Sequence, residues 1–315
     1  MDWIVIVSAA TALLLLALIL SSFYFYRVAI GRNSKAYLRG NKDLDQTNES
    51  AAQSPEQSED GLWLDSMGCE TWEVTSEDGL RLKAHYVAAG SPSKKAAVLF
   101  HGYSSKGKDM AGFARSLHSR GFSVLMPDAR GHGESEGRYI GFGWHERRDC
   151  LLWIRRVTER LGEDAQILLM GISMGAATVM MASGERLPPQ VKAIIEDCGY
   201  TSVWAQLGWQ LKRIYRLPRF PFLHATSLLT KLRAGYGFKE ASALAQVKKC
   251  RTPMLFIHGE DDTFVPYYMA RELYDACPAE KDIYTVPGAG HGMACAADIP
   301  AYESKVSSFI EKYII

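Results

Sequence analysis

An excess of charge of one sign is almost missing from this 315-residue chain: 36 Lys and Arg stand against 35 Asp and Glu, a formal net charge of +1. A chain so balanced has no whole-molecule field to gather a polyanion, and nucleic-acid binding is not expected. Cysteine is also sparse. The six residues Cys69, Cys150, Cys198, Cys250, Cys277 and Cys295 form no C-x-x-C and no His-rich spacing, so neither a zinc site nor a disulfide framework is signalled, which fits a reducing compartment. There is no internal repeat, and nothing in the sequence specifies an oligomeric state. A composition that is 47% hydrophobic favours one large core, and with it a single catalytic domain.

One long run is wholly uncharged. Trp3 to Tyr26 is built from Ile, Val, Leu and Ala with aromatic residues at both margins. As a helix rising about 1.5 Å per residue it would cross a hydrocarbon layer of about 30 Å. Arg27, Arg32, Lys35, Arg39 and Lys42 follow with no acidic residue among them, so the positive-inside rule keeps the C-terminal side in the cytoplasm. A cleaved signal peptide would need a basic start, a shorter apolar stretch and a small-residue cleavage site, whereas Asp2 precedes this run and Phe23-Tyr24-Phe25-Tyr26 ends it. Residues 1–40 are therefore read as a transmembrane anchor, helical over about 3–26, with a basic juxtamembrane segment. Residues 41–60 are polar and nearly free of large apolar side chains, so they read as a disordered linker that leaves the following domain free to reorient at the bilayer.

From residue 61 onward the pattern is that of a folded domain. Residues 70–75 and 80–87 flank Asp78-Gly79 as an antiparallel hairpin. Beyond it, short apolar runs at 96–100, 122–126, 166–170, 191–195, 254–257 and 282–286 alternate with helix-length stretches such as 145–161, 174–184, 267–276 and 302–314. Runs of that kind are strands buried on both faces, hence a mostly parallel sheet covered by helices. The stretch from about 199 to 250 exceeds an ordinary connection and reads as an inserted helical lid.

Gly171-Ile172-Ser173-Met174-Gly175 lies between one of these runs and a helix-length segment. That strand–turn–helix setting is the one a G-x-S-x-G nucleophile requires, with the helix N-terminus favouring developing negative charge. A serine hydroxyl needs a base to remove its proton. His291, in the glycine-flanked loop Gly288-Ala289-Gly290-His291-Gly292, can supply it, and of Glu260, Asp261 and Asp262 in the loop after the 254–257 run, Asp262 is the preferred orienting acid. His258, at the end of that run, is expected to hydrogen-bond the acid loop. The expected oxyanion donors are the backbone N–H groups of Met174, directly after the serine, and Tyr103, in the loop His101-Gly102-Tyr103.

With the order Ser173, Asp262, His291, and with Asp128-Ala129-Arg130-Gly131-His132-Gly133-Glu134-Ser135 matching a D-x-R-G-H-G-x-S segment, residues 70 to 315 resemble the α/β-hydrolase superfamily. The resemblance is to bacterial esterase and lysophospholipase-like members related to prolyl-oligopeptidase-type hydrolases. It implies an α/β-hydrolase fold over 61–315, a small-molecule acyl ester or thioester substrate, an acyl-Ser173 intermediate, and neither cofactor nor metal. A serine peptidase of prolyl-oligopeptidase type is the alternative. The Asp128–Ser135 segment is expected to brace the nucleophile side of the site. Residues 211 to 250 carry nine Lys or Arg against Glu240 alone, interleaved with aromatics. Two readings of that lid stand side by side: a surface resting on an anionic leaflet, and a solvated helical face above the pocket.

Overall fold

The structure, a computed structural model, describes residues 2–33, 38, 41, 44 and 59–315. The 41–60 linker, and Lys35, Arg39 and Lys42 of the juxtamembrane segment, lie outside the described residues apart from Asn41, Leu44, Glu59 and Asp60.

Eight strands form one sheet: β1 (Glu70–Thr75), β2 (Arg81–Val87), β3 (Lys95–Phe100), β4 (Ser123–Pro127), β5 (Gln166–Ile172), β6 (Val191–Asp197), β7 (Met254–Gly259) and β8 (Lys281–Val286). Their order across the sheet is β1-β2-β4-β3-β5-β6-β7-β8. The hairpin β1–β2 and the pair β2–β4 are antiparallel and all other neighbours are parallel. Alternate residues of the central strands face opposite layers. Val98, Phe100, Ile167, Leu169 and Ile194 belong to one core, and Ala97, Leu99, Leu168, Met170 and Ile195 to the other. This is why these strands read as unbroken apolar runs.

Among the described residues the α-helices are α1 (Asp2–Phe25), α2 (Glu59–Ser66), α3 (Ala111–Ser119), α4 (Glu146–Leu161), α5 (Met174–Ser183), α6 (Val203–Tyr215), α7 (Phe222–Ala234), α8 (Ala243–Val247), α9 (Tyr268–Ala276), α10 (Ala294–Ala297) and α11 (Ile299–Ile310). α5 is buried along its whole length, as its lack of any polar face requires. The last helix begins three residues earlier than the expected 302–314, because the Asp298 side chain accepts the Ala301 N–H and Pro300 occupies the first turn. The β6–β7 insertion carries α6, α7 and α8. The insertion is packed into the main core along its length, through Val203 and Leu211 of α6, Leu223 and Ala234 of α7, and Tyr236, Phe238, Ala243, Val247 and Cys250 beyond them.

α1 runs on through a single π-helical turn, Tyr26–Ile30. Most of α1 is exposed, but Leu18, Ser21 and Phe25 are half-buried and Ser22 is buried. That spacing is one helical face, and it packs on α7. Directly afterwards the chain is sewn to the body: the Ile140 N–H donates to the Ile30 carbonyl at 2.8 Å and the Arg32 N–H to the Arg138 carbonyl at 3.0 Å. The expectation of a catalytic domain free to reorient about its anchor is therefore corrected, since these contacts fix the two together before the linker begins.

Candidate active site

Ser173 sits between the end of β5 and the start of α5, with φ 55° and ψ −108°. A non-glycine residue here costs on the order of 1–3 kcal/mol. The turn exists because its neighbours have no β-carbon. One added to Gly175 would fall 1.9 Å from the Phe100 carbonyl oxygen, and one added to Gly171 2.2 Å from the Gly175 carbonyl. The two glycines let α5 start hard against β3 and β5, with its first turn behind the serine hydroxyl.

The structure brings the three residues expected at the site together. The His291 Nε2 is 2.9 Å from the Ser173 Oγ, and the His291 Nδ1 is 2.7 Å from the Asp262 Oδ2. All three are buried or nearly so. A β-carbon on Gly259, at the end of β7, would fall 2.2 Å from the Ala289 carbonyl, so this glycine allows the acid loop and the histidine loop to touch. The other oxygen of Asp262 accepts the N–H groups of Phe264 and Val265 at 2.9 and 2.7 Å. Burial works against this carboxylate, but the electrostatic interaction with His291 and the hydrogen bonds from His258 and His291 outweigh it and hold its pKa well below the usual range. Asp262 is thus ionised and fixes the Nδ1–H tautomer of His291, leaving Nε2 to accept the serine proton. Glu260 is turned away, accepting the Thr285 hydroxyl at 2.8 Å. His258 donates from Nε2 to the Val265 carbonyl at 2.8 Å and bonds the acid loop as expected.

Met174 opens α5 directly after the serine, and Tyr103 lies across from it; both line the same cleft as Ser173. A β-carbon on Gly102 would meet the Ser173 Cβ at 3.8 Å, so the Tyr103 loop adjoins the nucleophile. That loop is held from below. The Ala129 N–H donates to His101 Nε2 at 3.0 Å, so the ring's proton is on Nδ1, which donates to the Gly102 carbonyl at 2.7 Å. Burial and the neighbouring His132 push the pKa of His101 down to about 3, which keeps this tautomer uncharged. His132 Nε2 donates to the Tyr103 carbonyl at 2.6 Å.

The Asp128–Ser135 segment is a scaffold. The Asp128 carboxylate accepts the Gly107 and Glu134 N–H groups, both at 2.7 Å, and the Ser135 hydroxyl donates to the Asp128 carbonyl at 2.7 Å. Arg130 makes a two-pronged contact with Asp149, both bonds at 2.7 Å, within the core.

Above Ser173 is a cleft of roughly 840 Å³ counting its open mouth. Its walls come from α6 (Gln206, Gln210, Ile214), α7 (Phe222, Thr226), the body (Phe142, Tyr200, Phe264) and the end of the N-terminal helix (Phe25, Val28, Ala29). These residues carried no motif, because they are ordinary apolar and polar positions in six separate stretches of the chain. Gln206 and Gln210 both donate their amide N–H to the Phe264 carbonyl, at 3.0 and 2.7 Å, and their amide oxygens are buried without partners.

Residues 91–226 and 228–295 match the family described as serine aminopeptidase, S33, across well over half of the chain. The chain belongs to that family. This hydrolase is 28% identical over 238 residues to the Bacillus subtilis protein YqkD, covering 76% of this chain and 78% of the relative. It is 27% identical over 173 residues to the lysophosphatidylserine lipase ABHD12 of Danio rerio, covering 53% of this chain and 42% of that one. In structure it resembles the esterase Pf2001 of Pyrococcus furiosus, with a TM-score of 0.66 and 22% identity, over 81% of this chain and 94% of the other. The fold is accordingly the α/β-hydrolase fold, and the protein an esterase-like member of that superfamily.

Proposed function

We propose that this hydrolase cleaves carboxylic esters of fatty acyl groups through an acyl-Ser173 intermediate, from a single-pass membrane anchor. The observation that carries the reading is the unbroken relay from Asp262 through His291 to Ser173 at the floor of an apolar cleft. His291 Nε2 takes the hydroxyl proton as Ser173 Oγ attacks the ester carbonyl. The backbone N–H groups of Met174 and Tyr103 receive the oxyanion. The imidazolium then protonates the departing alkoxide, and water, deprotonated by His291, releases the acid and restores the serine.

The cleft argues for acyl esters over the aminopeptidase activity in the family's description. An aminopeptidase must hold its substrate's terminal ammonium, and no Asp or Glu is among the described residues that line the cleft. Comparing p-nitrophenyl acyl esters with aminoacyl-anilides tests this, and turnover of the anilides alone would reverse the assignment. A fluorophosphonate probe is expected to label the wild type and not Ser173→Ala; equal labelling of both would refute the serine mechanism.

α1 is 24 residues long, about 36 Å at 1.5 Å per residue, and is long enough to span. Its packing on α7 supports an anchor that is retained. A cleaved signal sequence would be removed together with that packed face. With Arg27 and Arg32 following it, the catalytic domain lies on the cytoplasmic side. In sealed inside-out vesicles, a C-terminal tag should be open to protease.

A further inference from the structure

The end of the N-terminal helix does more than reach the catalytic domain. Phe25, Val28 and Ala29 form one wall of the cleft that contains Ser173. The Phe25 ring meets Tyr215 of α6 edge-on at 5.1 Å and Phe222 of α7 at 6.4 Å, so it joins both helices above the cleft. The Arg233 guanidinium of α7 stands 5.3 Å from the Tyr26 ring and 5.9 Å from the Phe23 ring, a cation–π contact that clamps the same turn. Below, the Tyr103 hydroxyl donates to the Ala29 carbonyl at 2.5 Å. Tyr103, proposed above as an oxyanion donor, is therefore tied through its side chain to the end of the N-terminal helix. Arg32 completes the seam by donating to the Ser135 and Gly133 carbonyls at 2.7 and 2.8 Å.

The helix α7 also exposes apolar side chains, among the exposed His224, Lys231 and Arg233. Leu228 and Leu232, one turn apart on α7, are 63% and 77% exposed, and Phe220 is 72% exposed. α7 packs along the last turns of α1, so these side chains extend the lipophilic surface of the span up to the cleft.

Building on the ester-hydrolase reading above, we propose that Phe25–Ile30 belongs to the substrate site. This segment walls the pocket for a single acyl chain and braces the Tyr103 loop, and the chain passes along it from the bilayer to Ser173. The anchor then sets acyl-chain selectivity as well as location.

The test uses the full chain in detergent micelles and compares kcat/KM for p-nitrophenyl laurate with that for p-nitrophenyl butyrate. Val28→Trp, which fills the wall side of the cleft, is expected to lower the laurate-to-butyrate ratio by about tenfold or more. Tyr103→Phe, which loses only the hydroxyl bonded to Ala29, is expected to lower kcat on both esters with the ratio kept. Val28→Cys provides a smaller change in case the tryptophan disrupts folding: alkyl methanethiosulfonates of increasing length should progressively block laurate turnover, beyond their effect on wild type with its own cysteines. An unchanged ratio in folded Val28→Trp, or in fully alkylated Val28→Cys, overturns the proposal while the hydrolase reading stands. A wild type that hydrolyses neither ester ends both.

Discussion

Replacing Asp262 by asparagine changes one atom type at the site, and the surroundings decide how the new amide sits. The Phe264 and Val265 N–H groups both point at one carboxylate oxygen, from 2.9 and 2.7 Å. An NH2 group there would set a donor against two donors and strand both, at about 1–3 kcal/mol for each buried N–H. The amide oxygen takes that position, and the NH2 turns to the site where Oδ2 now lies 2.7 Å from His291 Nδ1 and 3.2 Å from His258 Nε2, whose N–H keeps its shorter bond to the Val265 carbonyl. To meet a donor, Nδ1 has to become an acceptor, so the ring proton moves to Nε2, which faces Ser173 Oγ at 2.9 Å. The base is then blocked by its own proton. The same replacement in a Ser-His-Asp triad lowers kcat by about 10⁴, or about 5 kcal/mol of barrier at 1.36 kcal/mol per tenfold. For Asp262→Asn we expect kcat on p-nitrophenyl butyrate to fall by about 10³–10⁴, with KM nearly unchanged because Asp262 does not line the cleft. A folded Asp262→Asn enzyme that loses less than about tenfold in kcat would refute the tautomer argument.

Gly175→Ala places a methyl 1.9 Å from the Phe100 carbonyl oxygen, so β3 and α5 must separate. Loss of stability by about 3 kcal/mol or more and loss of fluorophosphonate labelling are expected, and a wild-type denaturation midpoint would contradict the packing. Arg130→Met leaves the buried Asp149 carboxylate without its two-pronged partner and should cost about 3–5 kcal/mol in chemical denaturation; a cost below about 1 kcal/mol would mean that the pair contributes little. Glu196, fully buried, has its pKa pushed up by burial to about 8 from an ordinary 4.5. The folded protein then holds this proton where the unfolded chain has lost it. Its contribution to stability is complete below about pH 4.5 and is lost as pH rises towards about 8. Glu196→Gln should accordingly lose less stability than wild type between about pH 5 and about pH 8, and parallel melting profiles would count against it.

How legible the molecule was in its sequence differs from part to part. Six strands, β3 to β8, were readable as short apolar runs because a strand covered on both faces must be largely apolar, and β1 and β2 as a hairpin around Asp78-Gly79. The nucleophile turn was readable because Gly171 and Gly175 occupy positions where any β-carbon collides. The relay needed only chain order: Ser173, Asp262 and His291 each follow a strand of one parallel sheet, and the C-terminal ends of parallel strands share an edge. The start of α11 was missed by three residues because its cap, Asp298, and Pro300 precede the apolar pattern that marks the helix.

Local pattern alone thus determined the sheet, the turn at Ser173 and an uncharged segment long enough to span a bilayer. Tertiary structure decided the cleft. Phe25, Gln206, Phe222 and Phe264 are far apart in the chain and individually unremarkable, and only folding makes them neighbours. It also decided that the N-terminal helix joins the catalytic domain through the packed face of Leu18, Ser21, Ser22 and Phe25. A hydropathy pattern shows how apolar a helix is, but which of its faces meets protein depends on partners elsewhere in the chain.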